Sequence, residues 1–215
     1  MASKRSNNDV WRKFGVSLAL VTVLTETAEA HPILTTLSTN SFYQGLIHPL
    51  TGIDHWTSML GLGILAGYLG GHAKWRLPIF FVSSMLVGAL IGLLPISQSL
   101  ATCTEFLIAA SALCLGTVLL FAAKPSESAV LLMISSAGVW HGFAHAFVMP
   151  GVSAHAIDYF FGFALTTLFL LSAGVGSMVL PMMRIHKRAY VRYSGALLVI
   201  IATNLLFQQF VQYGS

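Results

Sequence analysis

The sequence predicts an all-α polytopic membrane protein, a bundle of six transmembrane helices following an N-terminal signal peptide. Three observations predict it. Of the 215 residues, 56% are hydrophobic and 8% charged, where a soluble domain carries about 25% charged residues. Polar groups this scarce cannot cover a water-exposed surface, so most of the chain must meet lipid or other apolar helices. The apolar residues form long continuous runs, not the alternating ~10-residue segments of a membrane β-barrel. Finally, beyond the cationic N-terminal stretch, lysine and arginine are confined to alternate connections between those runs.

Residues 1–30 read as a signal peptide. A cationic stretch (Lys4, Arg5, Arg12, Lys13) precedes an apolar run from Phe14 to Leu24, and the segment closes on Ala28-Glu29-Ala30. That run falls well short of the roughly 20 residues that cross a ~30 Å hydrocarbon core, and Ala-x-Ala fits the small-residue cleavage rule. Cleavage after Ala30 would make His31 the mature N-terminus. Residues 31–215 form the membrane domain, with spans over about 44–69, 77–94, 104–122, 129–149, 156–180 and 190–211, separated by breaks of Gly, Pro or charge.

Lys74 and Arg76 lie in the first connection, Lys124 in the third, and Arg184, Lys187, Arg188 and Arg192 in the fifth. The positive-inside rule puts these three connections in the cytoplasm and both mature termini outside. A net charge of +4 raises the question of nucleic acid, but the cations are scattered in ones and twos without interleaved aromatics, so no nucleic-acid partner is expected. Gly63-x-x-x-Gly67-x-x-x-Gly71 and Gly88-x-x-x-Gly92 have helix-packing spacing. Cys103 and Cys114 are ~16 Å apart along a predicted helix, too far for a disulfide, and read as packing residues.

Ionisable groups in a membrane tend to mark ion paths or cofactors. The first run carries His48, Asp54 and His55 in its opening half, and the fourth carries His141 and His145 in its closing half. His155 and Asp158 begin the fifth. With the topology applied, all converge on the outer half of the bilayer. In an unbroken helix His48 and His55 would lie about 10 Å apart, but Pro49 and Gly52 disfavour a regular helix and allow a broken segment that gathers these side chains. His141 and His145, at i and i+4, share one helical face at chelating spacing. Asp54 is either a ligand or the partner that fixes the tautomer of a ligating histidine. Imidazole and carboxylate without thiolate suit Ni²⁺, Co²⁺, Cu²⁺, Zn²⁺ or Fe²⁺. His72 and His186 fall in cationic connections and read as solvated loop residues.

The motifs His48-Pro-x-x-Gly-x-Asp54-His55 and His141-Gly-x-Ala-His145, with a signal peptide ending just before His31-Pro32, resemble the HupE/UreJ family of hydrogenase and urease accessory permeases. The resemblance runs over essentially the whole mature chain. It implies a six-span secondary permease for nickel, with cobalt second, in which His48, Asp54 and His55 form the core of metal recognition and His141 and His145 the facing pair. The chain departs from the family pattern in one place: Ala146 and Val148 stand where Gly and Glu are common. His155 and Asp158, in the same outer layer, are the candidates to make up the missing carboxylate, with His31 a further addition.

The expected function is therefore uptake of Ni²⁺ or Co²⁺ as transported substrate, with no prosthetic group and no enzymatic activity, across a prokaryotic cytoplasmic membrane. No Gly-x-x-x-x-Gly-Lys-[Ser/Thr] loop is present, so the drive would be an ion gradient, the membrane potential or a partner chain. Two rivals use the same histidines: a membrane cytochrome with bis-histidine haem and an intramembrane metalloenzyme. No His-Glu-x-x-His supports the latter. The partners expected are the metal ion and the lipid bilayer; neither a homo-oligomer nor a metallochaperone is specified by any motif.

Overall fold

The computed structural model describes residues 40–94, 98–148, 155–180 and 186–214. The signal peptide and His31 lie outside them. The described residues form seven helices: α1 Ser41–Thr51, α2 Ile53–Leu69, α3 Ala73–Gly92, α4 Gln98–Leu120, α5 Glu127–Val148, α6 Ala156–Ser177 and α7 Lys187–Gly214. Among the described residues there is no strand, and the protein is a helical membrane bundle.

Five of these helices are long and apolar enough to cross a membrane: Ala73–Gly92, Cys103–Leu120, Glu127–Ala146, Ala156–Ser177 and Lys187–Gln212. The stretch expected as one span over 44–69 is instead two helices of 11 and 17 residues joined at Gly52. Its cause is local. Pro49 sits inside α1, removes one backbone donor near its end, and the Thr51 hydroxyl takes the His48 carbonyl at 2.8 Å. Gly52 is extended (φ −98, ψ 123), and its carbonyl then accepts from the amides of His55 and Trp56 to start α2.

The remaining boundaries follow from capping. The Asn40 side chain accepts from Phe42 N at 2.9 Å and starts α1. Ser126 Oγ accepts from Ala129 N at 3.3 Å ahead of α5. α2 stops at Gly70 and Gly71, whose φ of 77 and 52 only glycine adopts without strain. The expected packing role of Gly71 is thereby corrected: nothing lies within 4 Å of a Cβ placed there, and it makes the turn.

α2 lies at the centre, touching α1, α3, α4, α6 and α7, while α3 pairs with α5, α4 with α7, and α1 with α6. The pairings run through small residues. A Cβ on Gly63 would strike the Leu171 carbonyl of α6, and one on Gly88 the Val139 carbonyl of α5. Gly45 and Gly162 bring α1 and α6 together in the same manner, and Thr166 adds a hydroxyl donated to Leu46 O at 2.7 Å. Backbones this close gain dispersion contacts that a lipid tail cannot replace. The cysteines depart from the expected packing role: both are free thiols exposed on the helix surface.

Cations from three connections meet at one end of the bundle. Lys124 Nζ and Lys187 Nζ lie 5.3 and 5.4 Å from the Tyr68 ring centroid, Lys187 donates to Tyr68 O at 3.4 Å, and Arg76 pairs with Glu127 at 2.5 Å. His48, His55, His141 and His145 lie toward the opposite end.

Candidate metal centre

Two breaks in regularity build the centre. The kink at Gly52 lets α1 deliver His48 from its last turn and α2 deliver Asp54 and His55 from its first. Across from them, α5 presents His141 and His145 one turn apart, held against α3 because Gly138 and Gly142 have no side chains. A Cβ on Gly142 would strike the Met85 carbonyl and lie 2.8 Å from Ala89 N.

One nitrogen each from His48, His55 and His145 lies within 4.8 Å of the others. His55 Nε2 and His145 Nε2 are 2.9 Å apart, and the His48 ring centroid is 4.7 Å from that of His145 and 5.7 Å from that of His55. The cluster thus draws one histidine from each of three helices. Tetrahedral or higher coordination by imidazole needs nitrogens about 2.0–2.1 Å from an ion, and three nitrogens within 4.8 Å can close around one with small rotations.

Asp54 stands behind His55, its Oδ2 2.9 Å from His55 Nδ1. The contact has ion-pair distance, although its alignment is poor for a hydrogen bond. A carboxylate there favours the proton on Nδ1 and leaves the Nε2 lone pair turned to the cluster. In the first turn of α2, Asp54 also benefits from the positive end of the helix dipole. Gly52 makes room for this arrangement: a Cβ would lie 2.6 Å from Asp54 Oδ1 and 2.8 Å from His55 Nδ1.

Burial is graded. The side chains of Asp54 and His55 are 21% and 14% exposed, while His145 and His141 fall to 4% and 3%. The more open side of the cluster is therefore at the α1–α2 break. Apolar rings wall the rest: Phe163 lies 4.4 Å from His145 and 5.8 Å from His48 between centroids, and Tyr159 6.1 Å from His48. Walls of this kind strip water and sharpen every charge interaction inside.

His141 is not one of the three converging histidines. Its ring centroid is 5.3 Å from His55 and 6.0 Å from His145, one layer deeper. His155 and Asp158 are not brought into the cluster either. They pair with each other at 3.6 Å at the start of α6, with side chains 67% and 61% exposed, because the open first turn of that helix faces outward. His31 lies outside the described residues.

The sequence reading passed over Glu105. This carboxylate on α4 is near enough to act electrostatically on His55. The signal that could have found it is simple: it is the one acidic residue inside the apolar run 104–122, the kind of group that costs several kcal/mol in a bilayer unless it has a role.

A family model described as HupE / UreJ protein matches residues 18–205. Protein HupE of Rhizobium leguminosarum bv. viciae is 30% identical over 164 residues, covering 75% of this chain and 82% of that relative. No solved structure matches the chain.

Proposed function

Because the chain belongs to the HupE/UreJ family, we propose that it is a secondary permease that takes up a divalent transition-metal ion, Ni²⁺ first and Co²⁺ second, into a prokaryotic cytoplasm. The observation that carries this reading is the convergence of His48, His55 and His145, three imidazoles within 4.8 Å in an apolar bundle. Imidazole suits borderline divalent ions, and the absence of a thiolate from the cluster disfavours Cu⁺.

In this reading the broken α1–α2 pair counts as the first of six spans. The cationic end, where Arg76, Lys124 and Lys187 gather, faces the cytoplasm by the positive-inside rule. The cluster then opens outward and both termini of the membrane domain lie outside. An ion arriving at the α1–α2 break meets Asp54 first, exchanges water for the three imidazoles, and moves on toward the cationic side. An inside-negative potential favours that direction by ~4.6 kcal/mol per 100 mV for two charges, so uniport is energetically sufficient. The role of Asp54 is to orient His55 and to attract the cation.

The haem alternative finds no support in the geometry, since a macrocycle would have to pass between rings whose Nε2 atoms are 2.9 Å apart. The test is uptake of radioactive Ni²⁺ and Co²⁺ into cells making the wild type, His48→Ala, His55→Ala or His145→Ala, with membrane abundance measured. Saturable uptake lost in all three variants is expected. Absence of uptake by properly inserted wild type would overturn the reading.

A further inference from the structure

A small cavity lies just beyond the cluster, toward the cationic end. Its volume is about 30 Å³, and Ser58, Met59, Phe81, Ser111, Met133 and His141 are among the residues lining it. Ser58 and Met59 follow His55 by one turn of α2, and Met133 precedes His141 by two turns of α5. The order along the bundle is therefore the three-histidine cluster, His141, the cavity, and then Tyr68 with its lysines.

His141 separates the two compartments. It faces His55 and His145 on one side and lines the cavity with Phe81 on the other, 5.9 Å away between centroids. It is 3% exposed. The Ala137 carbonyl one turn back interacts with the ring, yet neither ring nitrogen makes a hydrogen bond of ordinary geometry. A buried imidazole in that position has a ring nitrogen to offer a guest in the cavity. The space beside it suffices, since a water needs about 10–15 Å³ by the same measure.

We propose that this cavity is a second stop for the transported divalent ion, held by His141 with the hydroxyls of Ser58 and Ser111, and reached from the outer cluster through the His141 ring. The proposal rests on the permease reading and adds the inward half of the route. Ser111 donates its proton to Ile108 O at 2.7 Å, which leaves its oxygen an acceptor for a cation. One imidazole and two neutral hydroxyls among largely apolar walls bind less tightly than three imidazoles backed by a carboxylate. That gradient is what passage requires: entry must be favourable, and the inner stop weak enough to leave.

The test separates binding from passage. Equilibrium Ni²⁺ binding to the detergent-solubilised full chain, by competition with a metallochromic indicator, reports the outer cluster. Ni²⁺ uptake into proteoliposomes under a fixed inside-negative potential reports the whole route. Ala112→Leu fills the cavity, whose lining includes Ala112, and the double variant Ser58→Ala with Ser111→Ala removes both hydroxyls at nearly constant volume. Both variants are expected to bind Ni²⁺ like wild type and to lose uptake by about tenfold or more. Wild-type uptake in both, as for a cavity that merely holds a water, overturns the proposal. So does loss of equilibrium binding in the double serine variant, because inner and outer groups would then be one site. If Ala112→Leu fails to insert, the double variant decides alone. His48→Ala is the arm for the underlying reading: unchanged binding and uptake there would overturn the outer cluster itself.

Discussion

His55 and His145 meet nitrogen to nitrogen, Nε2 to Nε2 at 2.9 Å, from helices whose sequence positions are ninety residues apart. Only one of the two nitrogens can carry the proton in that contact. With Asp54 on the far side of His55 favouring a proton on Nδ1 there, the proton in the gap falls to His145 Nε2, and an ion held between the rings would require that proton to move to His145 Nδ1. On the permease reading, ion capture is therefore coupled to a change of tautomer at His145.

The first prediction concerns pH. Each ligating imidazole must be neutral, and an ordinary imidazole takes up its proton near pH 6.5. As pH falls through that range protons compete with the metal for the same lone pairs, so apparent affinity falls; as pH rises, it recovers and levels off. Initial uptake rates of Ni²⁺ at fixed free metal and fixed potential, measured between pH 7.5 and 5.5, should decline toward the acid end. A flat profile would exclude a histidine-built site.

Asp54→Asn should weaken Ni²⁺ binding by about 10–100-fold, the usual effect of losing the carboxylate behind a metal-binding histidine. The amide keeps the shape but neither holds the His55 tautomer as firmly nor attracts a cation at the α1–α2 break. The preference between Ni²⁺ and Co²⁺ should be unchanged, since the three ligating nitrogens remain. A competition assay with both metals checks this. An Asp54→Asn variant that switches metal preference would instead make the carboxylate a ligand.

Gly52→Ala isolates geometry from chemistry. No ionisable group is lost and φ of −98 is open to any residue, but the new methyl would sit 2.6 Å from Asp54 Oδ1 and 2.8 Å from His55 Nδ1. The two side chains must move apart. Metal affinity should fall as in Asp54→Asn, by about 10–100-fold, while thermal stability of the purified protein changes little, because the atoms displaced are the ends of side chains. Equal affinity in the variant and wild type would show that the Asp54–His55 contact is dispensable.

The helical bundle was legible because it depends on bulk properties: unbroken apolar runs and the confinement of cations to alternate connections. That His141 and His145 share one face of their helix was legible from spacing alone, since i and i+4 lie one turn apart in any α-helix. Depth was not. Spacing cannot say that His145 joins His48 and His55 while His141 sits a layer further in, because that is fixed by where the α1–α2 break falls relative to α5. A break between Pro49 and Gly52 was foreseeable from the residue types, yet its placement at Gly52, beside the Thr51 hydroxyl that donates to the His48 carbonyl, was not. His155 and Asp158 shared the outer layer in sequence order, but the first turn of α6 points them outward to pair with each other. The inner cavity had no signature at all, since single serines on two separate helices, Ser58 and Ser111, follow no pattern.

Gly142 offers the sharpest test of how the site is positioned. It separates His141 from Phe143 on α5, and a Cβ there would strike the Met85 carbonyl and lie 2.8 Å from Ala89 N on α3. Neither atom can yield without moving a helix backbone, so Gly142→Ala must force α3 and α5 apart. Overpacking of this kind costs about 1–3 kcal/mol, and the displacement would carry His141 and His145 with it. Gly176 supplies the control, since nothing lies within 4 Å of a Cβ at that position on α6; there, exchanging Gly for Ala in a helix is expected to be neutral or to stabilise by about 0.5–1 kcal/mol. Denaturation of the two purified variants in the same detergent, read alongside Ni²⁺ binding, should separate them cleanly: Gly142→Ala less stable and weaker in binding, Gly176→Ala neither. If Gly142→Ala matched wild type in both, the close approach of α3 and α5 could not be what sets the distance between His145 and the histidines across from it.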